Sequence, residues 1–195
     1  MKQIQILTLL IMAVFYIAYF AKQISQRRQG ISTMILGKGN KPESQKRHEM
    51  VLKLATFTMP AVEVVSIWWD VVTLPLWLKY LGVTIAALGA SCFIAGMVTM
   101  KGSWRAGIPD HKETTLITNG IYSLSRNPAF LGFDLMYLGI LLAFPNVWHA
   151  IAAVLTILLF HKQILREEQF LEAAFGNDYL AYKKRTNRYF PLIVV

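Results

Sequence analysis

The chain has 195 residues, of which 55% are hydrophobic and only 16% are charged. Soluble domains usually have about 25% charged residues, so this composition excludes an ordinary soluble globule and indicates a membrane protein. The net charge of +9 is also found among nucleic-acid-binding proteins, and the placement of the basic residues must decide between the two classes. A single cysteine, Cys92, excludes an internal disulfide and a paired-cysteine metal or redox site.

Five apolar stretches follow one another along the chain, and a membrane-spanning helix needs about 20 residues, with a range of roughly 17–25. The stretches cover residues 4–21, 50–72, 74–100, 129–144 and 147–165. Pro145 and Asn146 predict a tight turn between the last two, which would then form an antiparallel helical hairpin. We therefore predict an all-α integral membrane protein with five transmembrane helices, three in residues 1–100 and two in residues 101–195.

The basic residues concentrate on one side of this predicted topology. A basic loop follows the first stretch, and of the 20 Lys and Arg residues only Lys2 and Lys79 fall on the opposite side. This distribution follows the positive-inside rule with the N-terminus outside and the C-terminus in the cytoplasm. The charge therefore reflects topology and attraction to anionic lipid head groups, and no basic surface module with interleaved aromatic residues indicates nucleic-acid binding.

The pattern changes after residue 165, where charged residues alternate with apolar ones. The apolar residues at helical spacing are Phe170, Leu171, Ala174 and Phe175. They predict an amphipathic C-terminal tail on the cytoplasmic face of the membrane. Gly176 predicts the end of this helix, and Asn177 and Asp178 predict the start of another short one.

The segment TNGIYSLSRNPAFLG, residues 118–132, places polar residues directly before the fourth apolar stretch. An ordinary helix start could account for it, since Pro128 suits the first helical position, Asn127 is a good N-cap and Arg126 can reach lipid phosphate. A carboxylate pair, Glu167 and Glu168, stands at the same end of the fifth stretch. Because the hairpin brings these ends together, we predict that they form a polar pocket, covered by the tail and open to lipid.

The two segments together resemble the isoprenylcysteine carboxyl methyltransferase family, which is related to the phospholipid N-methyltransferases. The family pattern is G-x-Y-x-x-x-R-H-P-x-Y-x-G, then a Glu pair, then F-G-x-x-Y-x-x-Y and a closing proline. The matching residues are Gly120, Tyr122, Arg126, Pro128, Gly132, Glu167, Glu168, Phe175, Gly176, Tyr179, Tyr182 and Pro191. The resemblance covers residues 101–191, and the combined spacing is specific although either half alone would be weak.

The resemblance implies a membrane methyltransferase that uses S-adenosyl-L-methionine, releases S-adenosyl-L-homocysteine and O-methylates a lipophilic, isoprenylcysteine-like carboxylate. It makes residues 101–195 the catalytic region and implies no metal. The positions that would bind the cofactor are Thr114, Thr115, Leu116, Ile117, Tyr122, Asn127, Pro128, Ala129, Phe130 and Glu167. The positions assigned to catalysis are Glu168, Arg126 and Gln163.

Three positions depart from the family pattern. Asn127 stands where His is commonest, and it keeps a hydrogen-bond donor and an acceptor. Phe130 stands where Tyr is usual, and it keeps the aromatic face. Gln163 stands where eukaryotic members carry an Arg thought to meet the substrate carboxylate, so the charge at this position is lost.

The third departure leaves the acceptor open. A lipid-amine (phospholipid) N-methyltransferase is an alternative, and Glu168 would then be the best-placed base. A small transporter or a membrane scaffold is a further alternative, although the sequence has neither inverted repeats nor paired broken helices. Two acidic residues inside the apolar stretches, Glu63 and Asp134, are functional candidates of their own because acids are costly in a membrane.

Overall fold

The computed structural model describes residues 2–108 and 115–190. Six α-helices occur in this part of the chain: α1 (Gln3–Arg28), α2 (Glu43–Trp69), α3 (Leu76–Met100), α4 (Pro128–Ala143), α5 (Val147–Phe175) and α6 (Asn177–Arg185). Two short 3-10 helices, Lys101–Ser103 and Gly120–Ser123, lie between α3 and α4. The prediction of an all-helical fold is confirmed for these described residues.

Four of the helices, α1, α2, α3 and α5, are long and apolar enough to cross a membrane. The remaining apolar helix, α4, has only 16 residues, fewer than the roughly 17–25 of a typical span. Four of the five predicted spans therefore have the expected length. The turn predicted at Pro145 and Asn146 is confirmed, since α4 ends at Ala143 and α5 begins at Val147, where the Asn146 side chain accepts from the backbone N–H of Trp148 at 2.8 Å.

Three helix boundaries differ from the predicted stretches. The first helix continues past residue 21 to Arg28, and the second begins at Glu43, well before its apolar stretch. The fifth runs without a break to Phe175, so the amphipathic segment after residue 165 is its continuation and not a separate tail helix. Charged residues such as Glu and Lys are good helix formers, so a helix can continue where an apolar stretch ends. The end of an apolar stretch therefore indicates where contact with lipid ends and does not indicate where the helix ends. The stop at Gly176 and the short helix after it are confirmed.

Helices α3 and α4 approach each other closely through glycines. A Cβ added to Gly132 would lie 2.6 Å from the Phe93 nitrogen, and one added to Gly89 would lie 2.6 Å from the Gly132 carbonyl oxygen. Gly82 and Gly139 face each other in the same way further along the pair. Small residues permit such close helix contacts in membranes. The match of Gly132 to the family pattern therefore has a packing reason.

Aromatic rings fill the space between the helices. Phe15 of α1 stacks against Phe93 with a centroid distance of 4.4 Å, and Phe93 lies 5.0 Å from Phe133. Phe133 in turn lies 5.2 Å from Phe160 of α5. Each such pair is worth about 0.5–1.5 kcal/mol beyond the area that it buries. This aromatic core holds α1, α3, α4 and α5 together below the end of the bundle that carries the polar residues.

That end, which we call the tail end, also gathers the loop of residues 29–42 and the segment that follows α3. Ile35 donates its backbone N–H to the Ala106 carbonyl at 3.0 Å, and the Ala106 N–H donates to the Thr33 carbonyl at 2.8 Å. Helix α6 reaches the same end, because the Tyr182 hydroxyl donates to the Tyr122 carbonyl at 2.6 Å. The tail end is therefore built from both halves of the chain.

Candidate active site

The start of α4 and the end of α5 meet in a network of charged hydrogen bonds centred on Glu168. Its Oε1 accepts from Arg126 Nε at 3.1 Å and Nη2 at 2.8 Å, and from Asn127 Nδ2 at 3.3 Å. Its Oε2 accepts from Arg188 Nε at 3.1 Å and Nη2 at 2.8 Å. The prediction that residues 126–128 and 167–168 are neighbours is confirmed. We call Arg126, Asn127, Glu168 and Arg188 the Glu168 network.

The same network fastens the tail to the start of α4. The Arg126 guanidinium also donates to the Thr186 carbonyl and, at 3.2 Å, to the Lys183 carbonyl. The backbone N–H of Arg126 donates to the Asn187 carbonyl at 2.9 Å, and Ser125 Oγ donates to the Arg188 carbonyl at 3.2 Å. The backbone and side-chain polar groups before a helix start have no partner within the helix. Those of the Arg-Asn-Pro segment bond to the tail instead, and we call this contact the junction.

Glu168 occupies a position that suits fastening better than proton transfer. It is 4% exposed, and a guanidinium fork fills each of its carboxylate oxygens. Paired forks of this kind are among the strongest charged contacts in proteins, whereas a general base needs a lone pair within reach of the substrate proton. The geometry therefore does not fit the expectation that Glu168 acts as a base, and it gives Arg126 the same fastening role.

Asn127 stands at the N-cap position of α4, but its side chain makes no cap hydrogen bond. It donates instead to Glu168 and, at 3.2 Å, to the Arg188 carbonyl. Arg188 itself was not singled out by sequence, since a lone Arg in a basic tail carries no spacing signal. The pKa of Arg188 lies above its ordinary value, chiefly because Arg188 donates hydrogen bonds to Glu168. The guanidinium therefore stays charged in the network.

An aromatic cavity, which we call the chamber, opens beside this network. Its ring-bearing walls come from Tyr19, Phe93, Trp104, Phe130, Phe133 and Phe160. Its other lining residues are Leu36, Leu52, Thr56, Arg105, Ala106, Gly107, Ala129, Gln163 and Glu167. Among the described residues, the charged or amide side chains on its wall are thus those of Arg105, Gln163 and Glu167. Apolar walls with a few placed polar groups are typical of small-molecule sites.

A second cavity, the vestibule, adjoins the chamber at the tail end. Its lining residues are Met100, Ser103, Arg105, Gly107, Ile108, Glu167, Phe170 and Leu171. Arg105, Gly107 and Glu167 belong to both cavities. Glu167 therefore stands on the wall where the two spaces meet, and it directly precedes Glu168 of the buried network on α5.

The polar wall of the chamber has hydrogen-bonding capacity that the described residues leave unused. Gln163 Nε2 donates to Glu167 Oε1 at 3.0 Å, while the Gln163 Oε1 atom is buried without a hydrogen-bond partner in the part of the chain that is described. Leaving such an atom unpaired costs about 1–3 kcal/mol. This pair is the natural place for a ligand that donates hydrogen bonds.

The loop of residues 29–42 covers the chamber, a contact that its sequence did not predict. A buried ion pair fixes it, because Lys41 Nζ lies 2.8 Å from Glu49 Oε2 with side-chain exposures of 5% and 0%. The Gly37 N–H donates to the same oxygen at 2.7 Å, and Leu36 lines the chamber. In the sequence, the basic residues of this loop indicate membrane topology and give no sign of this contact.

The remaining predicted cofactor positions are partly brought together. Ala129 and Phe130 line the chamber, as described above. The Pro128 carbonyl accepts from Cys92 Sγ at 3.2 Å, and Tyr122 is buried, which raises the pKa of its hydroxyl well above the ordinary value. Within the described residues, the walls of the two cavities do not include Thr115, Leu116 or Ile117. Thr114 lies outside the described residues.

The two intramembrane acids lie away from both cavities. Glu63 is fully buried, and its Oε2 accepts from the Tyr16 hydroxyl at 3.0 Å. Neither Glu63 nor Asp134 lines the chamber or the vestibule. Groups of three or more His, Cys, Asp and Glu side chains suited to a metal ion are absent from residues 2–108 and 115–190.

Comparison with known proteins identifies the region that contains the site. The family model described as phospholipid methyltransferase matches residues 77–178, which is just over half of the chain. This match runs from the start of α3 to the first turn of α6, and it includes Arg126, Asn127 and Glu168 but not Arg188 of the Glu168 network.

Named relatives are similar over much of the same region. The human protein-S-isoprenylcysteine O-methyltransferase is 28% identical over 131 residues, which is 66% of this chain and 46% of the human protein. The Arabidopsis thaliana protein-S-isoprenylcysteine O-methyltransferase B is 29% identical over 120 residues, 60% of this chain and 61% of its own length. The Schizosaccharomyces pombe protein-S-isoprenylcysteine O-methyltransferase is 33% identical over 84 residues, 43% and 36% respectively.

The chain thus spans about half the length of the curated relatives that it matches. The resemblance noted from the residues alone is confirmed by these comparisons. The chain belongs to the phospholipid methyltransferase family and has isoprenylcysteine methyltransferases among its relatives.

Proposed function

We propose that this protein is a membrane methyltransferase that uses S-adenosyl-L-methionine to methylate a lipophilic acceptor. The observation that carries the proposal is the position of Glu167 on the wall shared by an aromatic chamber and a vestibule at the tail end. Such an arrangement lets an apolar acceptor and a polar cofactor approach the same point from two spaces. The family membership and the named activity of the relatives support the same reaction class.

The side chains around the shared wall suit the cofactor that the family uses. Its ammonium, ribose hydroxyls and adenine amine are hydrogen-bond donors, and the chamber wall carries two acceptor residues, Glu167 and Gln163, of which Gln163 has an unpartnered Oε1. Its carboxylate needs a cation, and Arg105 lines both spaces. We propose that Asn127 to Phe130 and residues 114–117 complete this site, with Tyr122 supporting it from behind.

The chemistry asked of the protein is alignment and exclusion of water. When bound, the cofactor supplies a methyl group on a positively charged sulfur, which is already a strong electrophile. A carboxylate acceptor needs no base, so the chamber walls have only to hold it in line and keep it dry. Orientation of this kind can be worth about 7–11 kcal/mol. Glu168 and Arg126 act in this proposal as positioning residues, because their contacts fix the start of α4, where Phe130 enters the chamber.

For the acceptor, the relatives' names favour an isoprenylcysteine carboxylate. One observation favours a lipid amine instead, and we keep it as the second candidate. The chamber combines aromatic rings with the Glu167 carboxylate, a combination that attracts cationic amines. Its one described cation, Arg105, donates to the Gly102 and Trp104 carbonyls at 2.5 and 2.8 Å and is therefore partly occupied.

The membrane arrangement follows from the same placement. We propose five crossings with an extracytoplasmic N-terminus, so that the basic first loop, the vestibule and the tail face the cytoplasm. The short α4 is the fifth crossing in this proposal, and its close glycine contacts with α3 support that arrangement. A segment whose backbone is buried in protein at membrane depth does not have to satisfy the length that a lipid-exposed helix needs.

The test is methyl transfer and cofactor binding by the detergent-purified full chain. Labelled S-adenosyl-L-methionine is offered with N-acetyl-S-farnesylcysteine or with phosphatidylethanolamine as the acceptor. Glu167→Ala should weaken cofactor binding at least about tenfold, because a buried acceptor is worth about 1–3 kcal/mol. Glu172→Ala is the matched control, because it removes a half-exposed carboxylate of α5 that pairs with Lys183 of α6, and this variant should bind normally. Equal affinity of the two variants would remove Glu167 from the site, and transfer to neither acceptor would contradict the proposed reaction.

A further inference from the structure

Three basic side chains gather on the seam between α2 and α5 at the tail end, outside the site described above. They are His48 on α2 and Lys162 and Arg166 on α5. The positive charges of Lys162 and Arg166 act directly on the His48 ring, which is 8% exposed. The positive charge of this place comes from Lys162 and Arg166, and a basic pocket between helices favours an anion.

Two donor atoms of this cluster are buried without a partner. They are His48 Nε2 and Arg166 Nη1, for which no hydrogen bond is made within the described residues. The His48 ring approaches the backbone of Leu159, yet its Nε2 completes no hydrogen bond there. A buried nitrogen without a hydrogen-bond partner is unfavourable, and more so when its group is charged. The cluster therefore has both the charge and the directed N–H groups that an anion requires.

The carboxylates next to the cluster in sequence make their hydrogen bonds elsewhere. Glu49, next to His48, accepts from Lys41, Gln45 and the Gly37 N–H. Glu167 accepts from Gln163, and Glu168 lies between two guanidinium groups. Glu49 does act on the His48 charge, but its hydrogen bonds point into the first loop. The anion that balances the cluster must therefore come from outside the described chain.

The surroundings of the cluster indicate which anion this is. Met50, Val51 and Leu54 are exposed on α2 just beyond His48, and Leu158 and Leu165 are exposed on α5. These apolar faces belong to helices that are candidate membrane spans, so the cluster lies where lipid-facing surface ends. Phospholipid phosphates lie at this level of a bilayer, and basic pockets between helices are the usual way to hold them.

We propose that His48, Lys162 and Arg166 bind the phosphate of an anionic phospholipid whose acyl chains lie along α2 and α5. The phosphate oxygens accept from His48 Nε2 and the Arg166 guanidinium, and Lys162 contributes charge from the exposed side. The site goes beyond the proposed methyl transfer and does not depend on it. It lies one helical turn from the chamber on both helices, because Leu52 follows His48 by four residues and Gln163 precedes Arg166 by three.

The experiment measures lipid binding by the full chain, purified and delipidated in a neutral detergent. The probe is a fluorescent phosphatidylglycerol, and affinity is obtained by titration. Arg166→Gln should weaken binding about tenfold, since a charged bidentate contact is lost. Arg28→Gln is the matched control, because it removes the same charge from an exposed position near the end of α1, and it should change affinity less than about twofold.

A second variant guards against loss of fold. Lys162 is exposed, so Lys162→Gln leaves the packing intact and should weaken binding about threefold through its charge alone. Equal affinity of the Arg166→Gln and Arg28→Gln variants would overturn the proposal, because binding would then depend only on overall charge.

Two further ligands identify the source of the phosphate. Phosphatidylcholine, which has a phosphate but no net charge, should bind about tenfold more weakly than phosphatidylglycerol. Inorganic phosphate should compete only at concentrations far above that of the lipid, since it gains nothing from the apolar faces. Competition at equal concentration would show a site for free phosphate and would overturn the lipid assignment.

Discussion

The two helix pairs on either side of the bundle are built in opposite ways. Helices α3 and α4 meet backbone to backbone, and a single Cβ at Gly89 or Gly132 would come within 2.6 Å of the partner's backbone. Helices α2 and α5 meet across large side chains, and Leu52, Thr56 and Phe160 between them border the chamber. The α3–α4 pair therefore packs tightly along its contact, whereas side chains of the α2–α5 pair form part of the chamber wall.

The contrast shows how a small membrane protein can be rigid and hollow at the same time. The glycine contacts leave α4 little freedom to slide, which fixes the position of Phe130 at its first turn. The chamber can then be shaped by side chains alone, because the backbone that carries them is held from behind. Sites on rigid elements are more precise than sites on loops, and here the rigidity comes from residues that have no side chain.

The largest effect is expected at the junction that closes the α4–α5 hairpin. Glu168→Ala leaves Arg126 and Arg188 without their shared carboxylate, and breaking such a buried pair costs about 3–5 kcal/mol. We expect a marked fall in the thermal unfolding temperature in detergent. Glu172→Ala, at a half-exposed ion pair, should cost less than about 1 kcal/mol. Similar unfolding temperatures for Glu168→Ala and Glu172→Ala would mean that the contacts of Glu168 with Arg126 and Arg188 do not stabilise the protein.

A smaller loss is expected where α3 and α4 touch. Gly132→Ala places a methyl group 2.6 Å from the Phe93 nitrogen, and overpacking of this kind typically costs about 1–3 kcal/mol. Gly102→Ala is the control, because its added Cβ would come no closer than 3.9 Å to Ile31. The comparison uses the same unfolding assay, and full stability of Gly132→Ala would show that the pair is looser than described.

The smallest expected effect is a change in turnover, and it concerns the chamber wall between α2 and α5. Gln163→Arg introduces a cation into the chamber wall, and we expect turnover of a farnesylcysteine carboxylate to rise about tenfold, which corresponds to about 1.4 kcal/mol. Transfer to a lipid amine should fall, since like charges repel. Gln169→Arg adds the same charge at an exposed position on α5 and should change neither rate. Efficient methylation of the carboxylate by the wild type, with no gain in the variant, would show that Gln163 does not select the acceptor.

Much of the fold was predictable because its signals are local. Apolar stretches predicted the helices, Pro145 and Asn146 predicted the hairpin, and Gly176 predicted the end of α5. The hairpin in turn predicted that Arg126 and Glu168 meet, which their 2.8 Å contact confirms. A short turn makes α4 and α5 antiparallel, so the start of α4 lies beside the later part of α5. This part of the candidate site therefore followed from the sequence.

The rest depends on contacts that leave no period in the sequence. Arg188 reaches Glu168 from an irregular tail, and Ile35 pairs with Ala106 across 71 positions of the chain. Neither contact has a spacing that could be recognised in advance. The change to charged residues after residue 165 predicts an amphipathic tail and does not show that α5 continues to Phe175.

The origin of the chamber walls has a consequence for how this protein can diverge. Tyr19, Leu36, Leu52 and Thr56 line the chamber, yet all precede residue 77, where the match to the family begins. The wall that would meet the acceptor is thus partly supplied by a segment that the family pattern does not constrain. Mutation in α1, α2 or the loop between them can reshape the chamber while the Glu168 network stays intact. For the proposed methyl transfer, this means that a new acceptor can be acquired while the Glu168 network is kept.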